Sequence, residues 1–210
     1  MPEKIGRWIA SHPNWTLTMV TVAALAPFLA KPFNMDDPLF LWVAHQIQQH
    51  PANPYGFGVE WAWSAFPMWN ITCNPPLTSY FIALWTEFFG WTELSLHLLF
   101  LIPSLAAILG THRLARRLCR RPVAAALATL FTPAFLISST TVMCDVWMLA
   151  FWIWAVALWL EGMEQKNLTR LAICSLLASL APMAKYFGLC LVPLLAAYGF
   201  IHERRAGRWC

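Results

Sequence analysis

Six apolar stretches, near residues 15–33, 94–111, 122–138, 146–160, 168–181 and 186–201, follow one another with only short polar breaks between most of them. Each must be surrounded by other apolar groups or by lipid, and so many in 210 residues leave too little polar surface to cover them in water. Composition points the same way: 59% of the chain is hydrophobic and 11% charged, where a soluble domain carries about a quarter charged. Mean hydropathy is +0.54. The fold class expected is therefore all-α, a polytopic membrane protein with about six transmembrane helices. Several stretches are shorter than the ~20 residues of a standard span, so they are extended by their flanks or stop short of the surface around a cavity. Pro27, directly after Ala24-Leu25-Ala26, argues against signal cleavage, and the first run reads as a retained span.

Orientation follows from the cations. Lys4 and Arg7 precede the first run, "HRLARRLCRRP" carries Arg113, Arg116, Arg117, Arg120 and Arg121, "EGMEQKNLTR" carries Lys166 and Arg170, and Arg204, Arg205 and Arg208 close the chain. Six spans place all four clusters on one side, which the positive-inside rule makes cytoplasmic. A net charge of +4 distributed in this way leaves no nucleic-acid partner to propose and names membrane lipids instead; the arginine loop could also hold anionic headgroups. The other side is nearly free of cations, its exceptions being Lys31 and Lys185. It holds a long loop over residues 34–91, the turn "SSTTVMCD" ending at Asp145, and the turn "LAPMAKYFG" carrying Lys185.

The loop is too rich in Trp, Phe and Pro to be disordered. Asp37-Pro38 reads as an N-cap with proline at the first helical position, opening an amphipathic helix with Leu39, Trp42, Val43 and Ile47 on one side and His45, Gln48 and Gln49 on another. Asn74-Pro75 repeats the device ahead of "PPLTSYFIALWTEFF", giving two interfacial helices in the first outer loop. With Asp37 as a cap, Asp37→Asn is expected to be mild. Asp36 lies one residue too early for that job and is the candidate for chemistry. Asp145 is a possible cap of the fourth span, and Lys185, in an apolar context, marks a binding site or an ion pair unless it snorkels to the surface. His50, Glu60 and His97 match no metal spacing. The six cysteines read as packing residues, with a Cys73–Cys144 disulfide left open.

An acidic pair after the first span, an outer loop with interfacial helices, a "PPL" element at Pro75-Pro76-Leu77, an Asp at an outer turn in "MCDVWMLAFWIWAVALWLEG" and the following "AKYFGLCLVPLL" together resemble the GT-C superfamily of membrane glycosyltransferases. Within it they are most similar to the protein O-mannosyltransferase and aminoarabinose transferase branch. The resemblance implies an inverting transferase that moves a sugar from a polyprenyl-phosphate carrier to a hydroxyl of a lipid, glycan or protein acceptor. It makes Asp36 the general base, puts Asp37 and Asp145 in the acceptor site or beside an assisting divalent metal, and gives the donor phosphate to Lys185. It also implies a bacterial inner-membrane protein with its site on the periplasmic side. Members of the family are much longer, so residues 1–210 are expected to be a single but truncated transmembrane domain. Two rivals remain: a small transporter or flippase, in which Asp145 and Lys185 pair along a substrate path, and a non-catalytic assembly protein.

Overall fold

A computed structural model describes residues 11–61 and 63–205; Lys4, Arg7, Arg208 and Cys210 lie outside the described residues. Helix α1 (Pro13–Leu25) starts on a proline, harmless in a first turn whose N–H groups have no partner, and passes into a 3-10 turn at Ala26–Phe28 where Pro27 interrupts it. The segment that follows holds α2 (Asp37–Gln49), the antiparallel strands β1 (Gly58–Trp61) and β2 (Ser64–Pro67), the single turn α3 (Met68–Ile71) and α4 (Leu77–Phe89). The long α5 (Glu93–Leu118) is capped by Thr92, whose hydroxyl accepts the Ser95 N–H at 3.2 Å. Helices α6 (Pro122–Leu130) and α7 (Pro133–Ser139) meet at a 64° bend, with Pro133 opening the second and Thr132 capping it. Then come α8 (Asp145–Gln165), α9 (Leu168–Ala184), a 3-10 turn at Tyr186–Cys190 and α10 (Leu191–Arg205).

Every apolar stretch is thus helical, as expected, but their lengths differ. Among the described residues only α5 and α8 are long and apolar enough to cross a membrane alone, and the bent α6–α7 pair makes a third if it counts as one broken span. Proline sets the limits of the others: Pro27 shortens α1, and Pro182 lies in the last turn of α9. The exterior is apolar, with Met19, Ile102, Ile137, Leu176 and Leu194 all exposed, which suits lipid as the surrounding solvent. The chain is an integral membrane protein.

Close packing joins the two long helices. A Cβ on Gly110 of α5 would come within 2.9 Å of Ile153 and Trp154 of α8, so glycine permits the approach that lets Trp154 Nε1 donate to the Ala106 carbonyl at 2.8 Å. Gly162 plays the same part where α8 turns back into α9, against Leu171. One core cluster joins α1, α2 and α4 to the α5–α8 region around Phe100 and Ile108, and a second, around Leu158 and Leu191, joins α8 to α9 and α10.

Several local expectations need correcting. Helix α2 begins at Asp37, so Asp36 and not Asp37 holds the cap position, yet neither caps it through the side chain; the Asp37 carboxylate accepts instead from the Asn34 N–H ahead of the helix and from the Val142 N–H. Its buried face is Phe40, Val43, Ala44 and Ile47, leaving Leu39 half-buried and Trp42 exposed; Gln48, expected on the polar side, reaches α4 and donates to the Ala83 carbonyl and Thr86 Oγ1. Helix α4 starts after Pro76 without a side-chain cap, and the Asn74 carbonyl instead accepts the Tyr55 hydroxyl at 2.6 Å. The β1–β2 hairpin, with Val59 opposite Phe66, was not anticipated. Cys73 and Cys144 are both free thiols, the first exposed and the second buried, so the disulfide does not form.

Candidate active site

The turn between α7 and α8 is the hub. Thr140, Thr141, Val142 and Cys144 are all buried there, yet the turn has backbone groups that no helix satisfies. Two charged side chains from earlier in the chain satisfy them. Lys31 Nζ donates to the Thr140 carbonyl at 3.1 Å, and the Val142 N–H donates to Asp37 Oδ1 at 2.9 Å. The other Asp37 oxygen accepts the Asn34 N–H at 2.7 Å. Asp37 is fully buried. Burial pushes its carboxyl above the usual range against the pull of the two N–H donors, Lys31 and His97. Asp37 therefore ties the start of α2 to the start of α8.

Three residues beyond Val142, Asp145 opens α8 and accepts from Lys185 Nζ at 2.6 Å. Asp145 is the first helical residue, not the cap, and its carboxylate is committed to the lysine as well as lying in the positive field of the helix N-terminus. Burial alone would depress the Lys185 ammonium, but the hydrogen bond and charge of Asp145 outweigh it and raise the pKa. Both side chains keep about a third of their surface accessible, 34% for Lys185 and 30% for Asp145. An ammonium has three N–H donors, so those not facing Asp145 remain for a ligand.

Asp36 differs from its neighbour. It is half-buried, and its carboxylate has no hydrogen bond or ion pair among the described residues. Of two adjacent carboxylates, one is built into the structure and the other is left with its lone pairs available.

Three further residues join this end. His97, in the first turns of α5, is buried, stacks on Phe33 with ring centroids 6.2 Å apart, engages the Glu93 carbonyl through Nδ1 and has no partner for Nε2 among the described residues. Tyr55 lies beside Tyr186, Cys144 and Tyr80; burial holds its hydroxyl well above the usual range, so it stays a donor. Cys144 is pushed up to about 12 by burial and is inert as a nucleophile. Lys31 was visible in the sequence only as a stray cation on the sparse side, His97 only as a histidine without metal spacing, and Tyr55 carried no signal there beyond being a polar group in a greasy setting.

One cavity shares Tyr55 with the cluster, and a second is lined by sequence neighbours of Lys185. One of about 740 Å³ lies against the hairpin, lined by Tyr55, Phe57, Phe66 and Trp69. The other, about 440 Å³ and almost wholly apolar, is a groove between α9, the 3-10 turn and α10; Pro182 and Leu189 at one end of it bracket Lys185 in sequence, and Ser175 lies about 10 Å from Pro182 along α9. Asp36, Asp37, Asp145 and Lys185 do not line either cavity directly.

His50 ends α2 and Glu60 sits in β1, apart from His97, and among the described residues no three His, Cys, Asp or Glu side chains converge on a point that a metal could occupy. Each Asp37 oxygen accepts one backbone N–H, and Asp145 meets the Lys185 ammonium through Oδ1. A family model described as dolichyl-phosphate-mannose-protein mannosyltransferase matches residues 73–210, which takes in Asp145 and Lys185 and leaves Asp36 and Asp37 outside. No curated protein and no solved structure matches the chain.

Proposed function

Because the chain belongs to the dolichyl-phosphate-mannose-protein mannosyltransferase family and is a mannosyltransferase-like glycosyltransferase, we propose that it takes its sugar from a polyprenyl-phosphate carrier and transfers it, with inversion, to an acceptor hydroxyl at the outer face of a bacterial inner membrane. The observation that carries this reading is the part-exposed Lys185–Asp145 pair at 2.6 Å, close in sequence to Pro182 and Leu189, which line an apolar groove. A polyprenyl-phosphate ester needs a cation at the membrane surface and an apolar channel for its tail, in that order along one path.

In the proposed reaction the acceptor oxygen attacks the anomeric carbon and its proton passes to the Asp36 carboxylate. The bond between the anomeric carbon and the phosphate oxygen breaks, and the carrier phosphate leaves with the electron pair. Lys185 faces that growing negative charge in a setting of low dielectric, where a cation stabilises it more than in water. Asp145 keeps the ammonium aimed and charged. Asp37 positions Asp36 by fixing the start of α2 against the turn that leads to Asp145. The cavity beside Tyr55 is the proposed place for the acceptor.

The Asp145–Lys185 pairing is also what a transporter would use, but it sits where α8 starts and α9 ends, away from the middle of the spans where a translocation path would place it. The test is transfer by the protein reconstituted in vesicles, with polyprenyl-phosphate mannose as donor and the product anomer assigned by NMR. Product of inverted configuration is expected. Retained configuration, or transfer from a nucleotide sugar without the lipid donor, would contradict the reading; donor binding with no transfer at all would favour the assembly protein.

A further inference from the structure

The opposite end of the bundle holds a second polar cavity, about 510 Å³, between α1, α5, α8 and α9. It has an acidic floor and basic walls. Glu161, almost fully buried, accepts a two-pronged contact from Arg113, Nε to Oε1 at 2.7 Å and Nη2 to Oε2 at 2.6 Å, and a third contact from Arg170 at 3.0 Å. Arg113 also lies over the Trp154 ring, 5.2 Å from its centroid. Arg170 is steadied by Gln165, Arg117 by Glu164, and His112 by Asn14 at 3.0 Å. Arg116 lines the same cavity, exposed, with no carboxylate partner among the described residues. Four arginines therefore face two carboxylates, which leaves positive charge unmatched in a concave site with prearranged guanidinium groups.

A purely structural ion network has no use for that surplus, since each further arginine repels those already present. A phosphate has. Guanidinium forks match its oxygens in pairs, and Arg113 and Arg170 have N–H donors beyond those spent on Glu161. Along α8 the cavity is about 24 Å from Asp145, so it is separate from the donor site and lies at the opposite end of a helix long enough to cross a membrane. We infer that this cavity is a second binding site, specific for a phosphate-bearing anion, as carried by the headgroup of an anionic phospholipid in the other leaflet.

The test uses the full chain in nanodiscs of phosphatidylcholine doped with phosphatidylglycerol, reading retained lipid by mass spectrometry and the melting temperature in parallel. Wild type is expected to retain phosphatidylglycerol about tenfold over phosphatidylcholine, and Arg116→Gln to lose about tenfold of that retention, the size of one charge-assisted hydrogen bond, with unchanged melting in pure phosphatidylcholine. Arg116→Lys should keep part of it, because charge survives without the fork. Arg120→Gln, just past the end of α5 and outside the cavity, should change nothing. Competition by millimolar inorganic phosphate would assign the site to free phosphate and leave its chemistry as inferred. Equal losses from Arg116→Gln and Arg120→Gln, or no preference for phosphatidylglycerol in wild type, would overturn the inference. Because the readout is lipid retention, it is independent of whether the chain transfers sugar.

Discussion

At the start of α8, Asp145 meets one lysine at 2.6 Å; about 24 Å further along the same helix, Glu161 meets two arginines, at 2.6 and 3.0 Å. The first carboxylate keeps 30% of its surface accessible and the second 10%. A lysine held by one oxygen is a point charge with donors to spare, whereas a glutamate gripped from two sides is a fixed strut between α5, α8 and α9. The contrast recurs within the acidic pair: Asp37 is bound by two backbone N–H groups and Asp36 by nothing among the described residues. Charged groups here divide into those consumed by the fold and those left for a ligand, and the two kinds sit side by side.

The most severe break is expected at Asp36. Asp36→Asn should lower transfer by about 10²- to 10⁴-fold, the usual worth of a general base, with an unchanged melting temperature. Asp37→Asn should do the reverse. An amide offers one acceptor where two buried N–H groups need one each, so about 1–3 kcal/mol of stability is lost, and the mild outcome expected of a helix cap is not. Its pH signature has a definite sign. A carboxyl raised above 3.8 favours the fold when protonated, so this contribution is full below 3.8 and disappears as pH rises through the higher folded value; Asp37→Asn should flatten that limb of a stability profile.

At the arginine end, Glu161→Gln is expected to cost roughly 2 kcal/mol by chemical denaturation, less than a fully buried pair because Arg113 keeps 38% of its side chain accessible. The smallest effect belongs to Glu164→Gln. Glu164 is 54% accessible, and losing its contact with Arg117 should cost under about 1 kcal/mol and vanish in high salt. If the two glutamates cost the same, Glu161 is not the strut described here.

The helices were legible because apolar runs, prolines and basic breaks are local signals, and the α2 and α4 helices in the segment between α1 and α5 followed from the same logic. The hairpin was not, since "GVEWAWSAFP" lacks the alternation that marks a strand facing water on one side. Asp36, Asp37, Asp145 and Lys185 stood out as charges in an apolar chain, and Lys185 could be read as half of an ion pair. What Asp37 does could not be read: its partner Val142 is 105 residues away, and a backbone N–H leaves no mark on the sequence. The helix cap, a local explanation, was displaced by a tertiary one. The cavity at the other end was likewise hidden, because a positive-inside signal and a phosphate cup draw on the same arginines.

Lys185 bears most directly on the division between committed and available charge. Its ammonium is raised above 10.5, so its contribution to stability is complete below that pH and is lost only as pH climbs past the folded value; neutral pH therefore isolates its role in binding. The decisive measurement is the affinity of the purified protein for polyprenyl-phosphate mannose at neutral pH. Lys185→Met is expected to weaken it by roughly 1.5–3 kcal/mol and Lys185→Arg to recover only part, while both variants still melt cooperatively. Wild-type donor affinity in a folded Lys185→Met protein would mean that the lysine serves only Asp145 and that the phosphate is held elsewhere.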